Sequence, residues 1–130
     1  MNGSNKSDRG RETIESEDIP QRLADDQFYR SLASSHRRRL LCYLLEENES
    51  TVDELATVLC GWEASASKTF RQPGDRNKLF VKLHHSHLPR LSNAGLIEYD
   101  PLDGSVRLER LHPEVRNIIH RSIMVESVDV

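Results

Sequence analysis

Apolar residues recur every three or four positions along much of the chain, the spacing that places side chains on one face of a helix. In the first part of the sequence this pattern predicts a helix at about 26–33 and a longer one at 36–47. Ser34 and Ser35 precede the second helix and suit its N-cap, because a hydroxyl oxygen can accept a free backbone N–H. Residues 48–50 are polar and are expected to connect this helix to the next.

Thr51 and Glu54 have the spacing of a capping box, in which two side chains satisfy free N–H groups at a helix start. A further helix is therefore predicted at 52–60, with Gly61 as a left-handed C-cap. Residues 61–75 lack clean periodicity and contain both Pro and Gly, so they are predicted to form a long loop. Within it, Trp62 is expected to pack beside the preceding helix, while 65–74 stays mobile.

Another amphipathic stretch ends at residue 93 and predicts the longest helix of the chain. Pro89 lies inside this stretch and has no N–H to donate to the His85 carbonyl, so a kink or break is expected near 85–88. The helix before the break carries most of the local positive charge. His87 is expected to pack against the helix at 52–60.

Two short runs, 96–99 and 106–108, are typical of strands and flank a turn that contains Pro101 and Gly104. They predict a β-hairpin. A last helix is predicted to begin at Pro113, because the fixed φ of proline suits a first helical position. The predicted order is therefore four helices, a hairpin and a final helix.

With 130 residues, 36% of them apolar and 30% charged, the chain fits one small domain. Residues 1–26 contain five apolar side chains against eleven charged ones, which predicts a disordered N-terminal tail. The folded domain is then expected at 27–111. Residues 112–126 form the C-terminal helix, whose apolar face offers a dimerisation element.

Several classes of function are disfavoured by what the sequence lacks. It contains no apolar run of membrane-span length and no signal peptide, so a cytoplasmic protein without a membrane partner is expected. The common catalytic motifs are missing, so no enzyme and no cofactor are predicted. Cys42 and Cys60 lie in helical patterns and are predicted to be buried free thiols. His84 and His87 lack a third ligand, so no metal site is expected.

The net charge is −3, but the tail alone carries four cations and seven anions, so the rest of the chain is balanced. Its charges are distributed unevenly, with six cations and one acidic residue between residues 64 and 91. A local basic face can bind phosphates even when the average charge is neutral.

Three helices followed by a hairpin are the layout of a winged helix-turn-helix domain. The segment Ser86–Glu98, SHLPRLSNAGLIE, resembles the recognition-helix-to-wing segment of ArsR-like winged-helix regulators, commonly S-x-H-L-x-x-L-x-x-A-G-L-V/I. Residues 35–44 resemble the first main helix of that family, and 51–56 resemble the start of its helix-turn-helix. More closely, the chain is similar over about 28–110 to a family of winged-helix proteins of halophilic archaea, regarded as transcription regulators.

The resemblance implies a mainly α fold with a small β-hairpin: a winged helix-turn-helix with a three-helix core, a wing and an extra terminal helix. It also implies a DNA-binding transcription regulator that acts on double-stranded DNA as a homodimer. Two features depart from the pattern. About fourteen residues separate Gly61 from Asp75, where three or four are usual, and the paired cysteines of ArsR metal sensors are missing.

The candidate DNA contacts are the outward positions of the helix before the wing, one wing residue and two cations of the insertion. They are Arg76, Lys78, Lys82, His84, His85, Ser86 and Arg90, then Arg107, then Lys68 and Arg71. The alternative is a winged-helix protein-protein interaction module without direct DNA binding, which uses the 62–74 insertion or the final helix. The basic segment favours DNA, while the neutral average charge favours the alternative.

Overall fold

A computed structural model of the chain describes residues 20–67 and 74–127. In these ranges the helices are α1 Asp26–Ser31, α2 Ser35–Glu47, α3 Val52–Ser67, α4 Asp75–Lys82, α5 Leu88–Asn93 and α6 Pro113–Ser127. The strands are β1 Glu49–Thr51, β2 Ile97–Asp100 and β3 Ser105–Leu108, and a π-helical turn, Leu83–His87, joins α4 to α5. The fold is thus mainly helical with a small antiparallel sheet, which confirms this part of the predicted fold class.

The hydrophobic core is built around α2, whose Leu40, Leu41 and Leu44 are fully buried. The terminal helix α6 packs against α2. It buries Val115 and Ile119 there, and Ile118 packs partly buried against the same core, so this part of the predicted apolar face belongs to the core of the same chain. No helix in the described ranges is long and apolar enough to cross a membrane.

Helix α3 is longer than predicted, and this prediction was wrong at its C-terminal end. The helix continues through Gly61 to Ser67, so Gly61 is an interior residue and not a left-handed cap. A glycine costs only about 1 kcal/mol in a helix interior. The extra turns are held by α2, since Glu63 hydrogen-bonds His36 and the Arg39 guanidinium lies 5.7 Å from the centre of the Trp62 ring.

The connection predicted at 48–50 is in fact partly a strand. β1 pairs with β3, with Ser50 opposite Val106, and the strand order in the sheet is β1-β3-β2. The predicted hairpin is confirmed, because β2 and β3 pair directly and Gly104 in their turn has a φ of 78°. A three-residue strand with no hydrophobic alternation is stabilised by a partner far along the chain, so local pattern cannot reveal it.

Pro89 disturbs the long helix at the predicted place, but by a π-helical turn and not by a break in the helix. The Leu88 N–H donates to the Leu83 carbonyl five residues earlier, which is the hydrogen bond of a π-helix. A regular α-helix would press the Pro89 ring against the His85 carbonyl, and the wider turn avoids this clash. Segment 75–93 is therefore one helical rod with a local widening in its middle.

Residues 20–26 of the predicted disordered tail belong to the described ranges, while residues 1–19 lie outside them. A 3-10 turn, Gln21–Ala24, precedes α1. The Arg22 guanidinium donates hydrogen bonds to the carbonyls of Ala94 and Gly95. Gly95 has a φ of 76°, as expected where the helical segment turns into β2.

Both cysteines are free thiols in the structure, but they are half-buried rather than buried. Burial and the nearby Glu46 carboxylate raise the pKa of Cys42. Its thiolate form is thus disfavoured, which argues against a nucleophilic role.

Candidate nucleic-acid interface

Segment 75–93 faces the core with one row of leucines and faces solvent with its opposite side. The inward residues are Leu79, Leu83, Leu88 and Leu91, all buried. α4 packs against α3, and α5 packs against β2, so the segment is held at both ends. This packing fixes which side chains of the segment can meet a partner.

The exposed side carries Lys78, Lys82, His85, Ser86 and Arg90, which together are called the cationic face below. Among the described residues, none of the side chains of Lys78, Lys82 and Arg90 has a hydrogen-bond or ion-pair partner. An unpaired cation on a rigid helix retains its full charge for an external anion. Five of the ten candidate contacts are thus together on one exposed surface.

Arg76 is a candidate that the structure uses internally. Its Nε donates to the Thr57 hydroxyl at 2.8 Å, and its Nη2 donates to the Asp53 carbonyl oxygen at 3.0 Å. The same guanidinium forms an ion pair with the Asp53 carboxylate. Arg76 therefore fastens α4 to the first turn of α3, and its hydrogen-bonding capacity is largely occupied.

His84 also turns toward the domain. It is half-buried, and its Nδ1 is hydrogen-bonded with the Tyr99 hydroxyl, which ties the π-helical turn to β2. Burial, together with the nearby Asp100, raises the pKa of Tyr99. Tyr99 is therefore a neutral hydroxyl at pH 7. Its neighbour His85 stays exposed, with the two imidazole ring centres 4.7 Å apart.

His87 is a buried histidine in a positively charged environment. It is 8% exposed, and its Nδ1 lies 3.1 Å from an Arg37 Nη1, which donates to it. Burial lowers its pKa to about 4, with further lowering by the charges of Arg37, His36, Lys82 and Arg90. The contact was predicted with the 52–60 helix, whereas these hydrogen-bonding and ring partners of His87 lie on α2.

Arg37 links this histidine to the start of the domain. It donates to the backbone carbonyl oxygens of Ser31 at 2.9 Å and Arg30 at 3.0 Å, so it closes the end of α1. Burial and the positive charge of Arg90 lower its pKa. Arg37 and Arg90 therefore give the surface between α2 and α5 a positive potential. This potential does not depend on Lys78, which lies on α4.

The β2–β3 hairpin has the opposite charge character. Arg107 is exposed on β3, but Glu49 and Glu98 lie directly opposite it on the two neighbouring strands. Side chains of directly opposite residues share one face of a sheet. Two carboxylates thus lie on either side of Arg107, so the hairpin presents no net positive charge at this position.

The insertion is described only in part. Lys68 and Arg71 lie outside the described residues, as does the stretch 68–73. The prediction that Trp62 packs beside the 52–60 helix was wrong, because Trp62 belongs to that helix, faces Arg39 of α2 and is 38% exposed. The loop was predicted at 61–75, with 65–74 as its mobile part, but residues 61–67 are helical. In the described ranges, no group of three His, Cys, Asp or Glu residues could hold a metal ion.

Comparison with known proteins relates the central part of the chain to a family. The model of a family described as a domain of unknown function (DUF7344) matches residues 29–107. The match begins in α1 and reaches β3, so it includes the cationic face and the sheet, while α6 lies beyond it. No curated protein and no solved structure matches the chain.

Proposed function

We propose, from the geometry of a chain that belongs to this family of unknown function, that the protein is a transcription regulator. It binds duplex DNA with segment 75–93. The observation that carries this proposal is the cationic face. Lys78, Lys82 and Arg90 are exposed, unpaired among the described residues, and displayed on the side of a helix that points away from the core.

The arrangement of the elements supports the same proposal. We interpret α2, α3 and segment 75–93 as the three helices of a winged helix-turn-helix domain, with β2 and β3 as its wing. β1 pairs with β3 and so ties the wing to the start of α3. A helix is about 10–12 Å across with its side chains, and the major groove is about 12 Å wide. The resemblance to ArsR-like regulators and to the halophilic archaeal proteins favours this function too, with the cytoplasm as its location.

The number of cations sets the expected strength of the salt effect. If three phosphates are neutralised, log K against log salt has a slope of about −2.7 for one domain. Raising the salt concentration from 50 to 200 mM should then weaken binding about 40-fold. A homodimer that places two segments on two half-sites would double the slope.

Fluorescence anisotropy with duplex DNA over this range of salt tests the proposal. The variant Lys78→Ala/Lys82→Ala should lower the magnitude of the slope by about two per domain. The control variant Arg110→Ala/Arg121→Ala removes the same charge from exposed positions outside the segment and should leave the slope unchanged. Wild-type protein that shows no salt-dependent binding would overturn the proposal.

A second function is favoured by the wing. Besides the two glutamates around Arg107, its turn contains Asp100 and Asp103, and between them Leu102 is 96% exposed. An exposed leucine among carboxylates would fit a protein partner with a basic surface, as in an interaction module that does not bind DNA. This alternative predicts that Leu102→Ser abolishes capture of a protein partner, while the lysine double variant has no effect on it.

We also propose that the protein is a homodimer joined through the end of α6. The last described turns of this helix expose Met124 by 52% and Val125 by 72%. Val115 and Ile119 on the same helix are already buried against the domain. A second copy of α6 could cover the exposed part without disturbing the packing on α2.

A further inference from the structure

One exposed residue of segment 75–93 is apolar. Val81 is 53% exposed, although Leu79 and Leu83 on either side of it are buried. Each residue turns a helix by about 100°, so Val81 lies about 180° from the midpoint of these two leucines. Val81 therefore points away from the core, toward the space that a bound partner would fill.

Asn77 lies on the same side, four residues before Val81. It is exposed, and its side-chain amide has no hydrogen-bond partner among the described residues. His85 continues the row four residues after Val81. Four residues advance a helix by about 6 Å, while base pairs are spaced about 3.4 Å apart. The row Asn77–Val81–His85 thus spans three to four base pairs.

These residue types correspond to one kind of base pair. In the major groove, an asparagine amide can donate to N7 and accept from N6 of adenine, and an apolar side chain can contact the thymine methyl group. Lys78 and Lys82 adjoin the row and suit the phosphates along the groove. We propose that Asn77 and Val81 read A·T base pairs, an inference that rests on the proposed DNA binding and adds its sequence preference.

The charges around Val81 favour DNA over a protein surface as the occupant. Lys82 is its immediate neighbour, Lys78 lies one turn before it, and both are unpaired among the described residues. The centre of a protein interface is depleted in lysine, because desolvating an unpaired ammonium group is costly. A polyanion supplies the counter-charges for both lysines beside the valine.

Selection of binding sites from a random duplex pool, followed by substitution of the selected site, tests the proposal. Wild-type protein should select A·T pairs at adjacent central positions of each half-site. Replacing the contacted thymine with deoxyuridine, which lacks the methyl group, should weaken wild-type binding about fourfold. Val81→Ser should abolish this difference, and serine has a helix propensity similar to that of valine. Asn77→Ala should reduce the preference in binding for adenine over the other bases. A bidentate contact gives a preference of about 5- to 150-fold.

The outcomes separate this inference from the function on which it rests. If wild-type protein selects no DNA, both fall. If it selects DNA but Val81→Ser remains sensitive to the thymine methyl and Asn77→Ala keeps the adenine preference, the A·T inference is overturned and DNA binding stands. If Val81→Ser leaves DNA binding unchanged but reduces the mass seen by light scattering, the face packs against a second copy instead.

Discussion

Lowering the pH from 8 to 5 should destabilise the domain through His87. Most carboxylates titrate below this range, so they contribute little to the change. The buried imidazole has a pKa of about 4 in the folded domain and 6.5 as its ordinary value. Between these pH values the unfolded chain binds a proton that the folded domain excludes. The contribution of the neutral His87 to the free energy of unfolding is therefore fully present above about pH 7.5. It is lost as the pH decreases through 6.5 toward 4.

The size of the effect follows from these two pKa values. Linkage gives a loss of about 2 kcal/mol in the free energy of unfolding between pH 8 and pH 5. Solvent partly screens the charges of Lys82 and Arg90, so we expect roughly 1–2 kcal/mol. For a domain of this size that corresponds to a decrease in Tm of about 4–8 °C.

Urea unfolding at several pH values between 8 and 5 measures the loss. His87→Gln keeps an oxygen that can accept the Arg37 hydrogen bond but cannot titrate, so its stability should depend less on pH by the same 1–2 kcal/mol. His120→Gln on α6 is the matched control, because it removes an exposed histidine. Equal pH dependence in the wild-type and His87→Gln proteins would refute the buried neutral histidine.

Three further effects follow from other parts of the chain. Thr51→Ala removes the hydroxyl that accepts the Glu54 N–H at 3.1 Å and should lower the free energy of unfolding by about 1 kcal/mol; unchanged urea midpoints would contradict the cap. Lys68→Ala/Arg71→Ala should weaken binding about equally on all DNA sequences and reduce the salt slope by roughly one to two; if the slope stays the same, the insertion does not contact the backbone. Val125→Glu should convert the dimer to a monomer, as measured by light scattering. The substitution keeps α6 in place on α2, whereas deletion of the helix would uncover α2. A monomeric wild-type protein would refute the dimer.

Local chemistry made several features of the fold predictable. Pro89 lacks an N–H, so the disturbance of the helix before it could be predicted from one residue. Gly104 supplied the positive φ that the hairpin turn requires. The start of α3 was likewise encoded locally, because the Thr51 hydroxyl and the Glu54 backbone lie only three positions apart. Each of these depends on neighbours within a few residues.

Features that depend on distant partners were missed. β1 exists because Ser50 lies opposite Val106, 56 positions later in the sequence. The C-terminal turns of α3 are favoured by contacts from Glu63 and Trp62 to α2, which outweigh the tendency of Gly61 to end a helix. No local pattern contains that information.

The same limit applies to the candidate interface. Helical periodicity predicted which positions of segment 75–93 face outward, and Lys78, Lys82 and Arg90 are indeed exposed. It could not show that Arg76 reaches Asp53 or that His84 reaches Tyr99, because those partners lie on other elements. The exposure of these three cations was thus predictable from the sequence, while the internal partners of Arg76 and His84 were not.

The central claim is that the cationic face, and not the wing or α6, contacts duplex DNA. An NMR titration of the isotope-labelled full chain with a duplex measures this most directly, because each backbone amide reports on its own surroundings. We predict that the largest amide shifts fall between residues 76 and 90, and that they reverse when salt is added. Shifts centred on the wing turn at 100–104 or on α6, with residues 76–90 unmoved, would contradict the account.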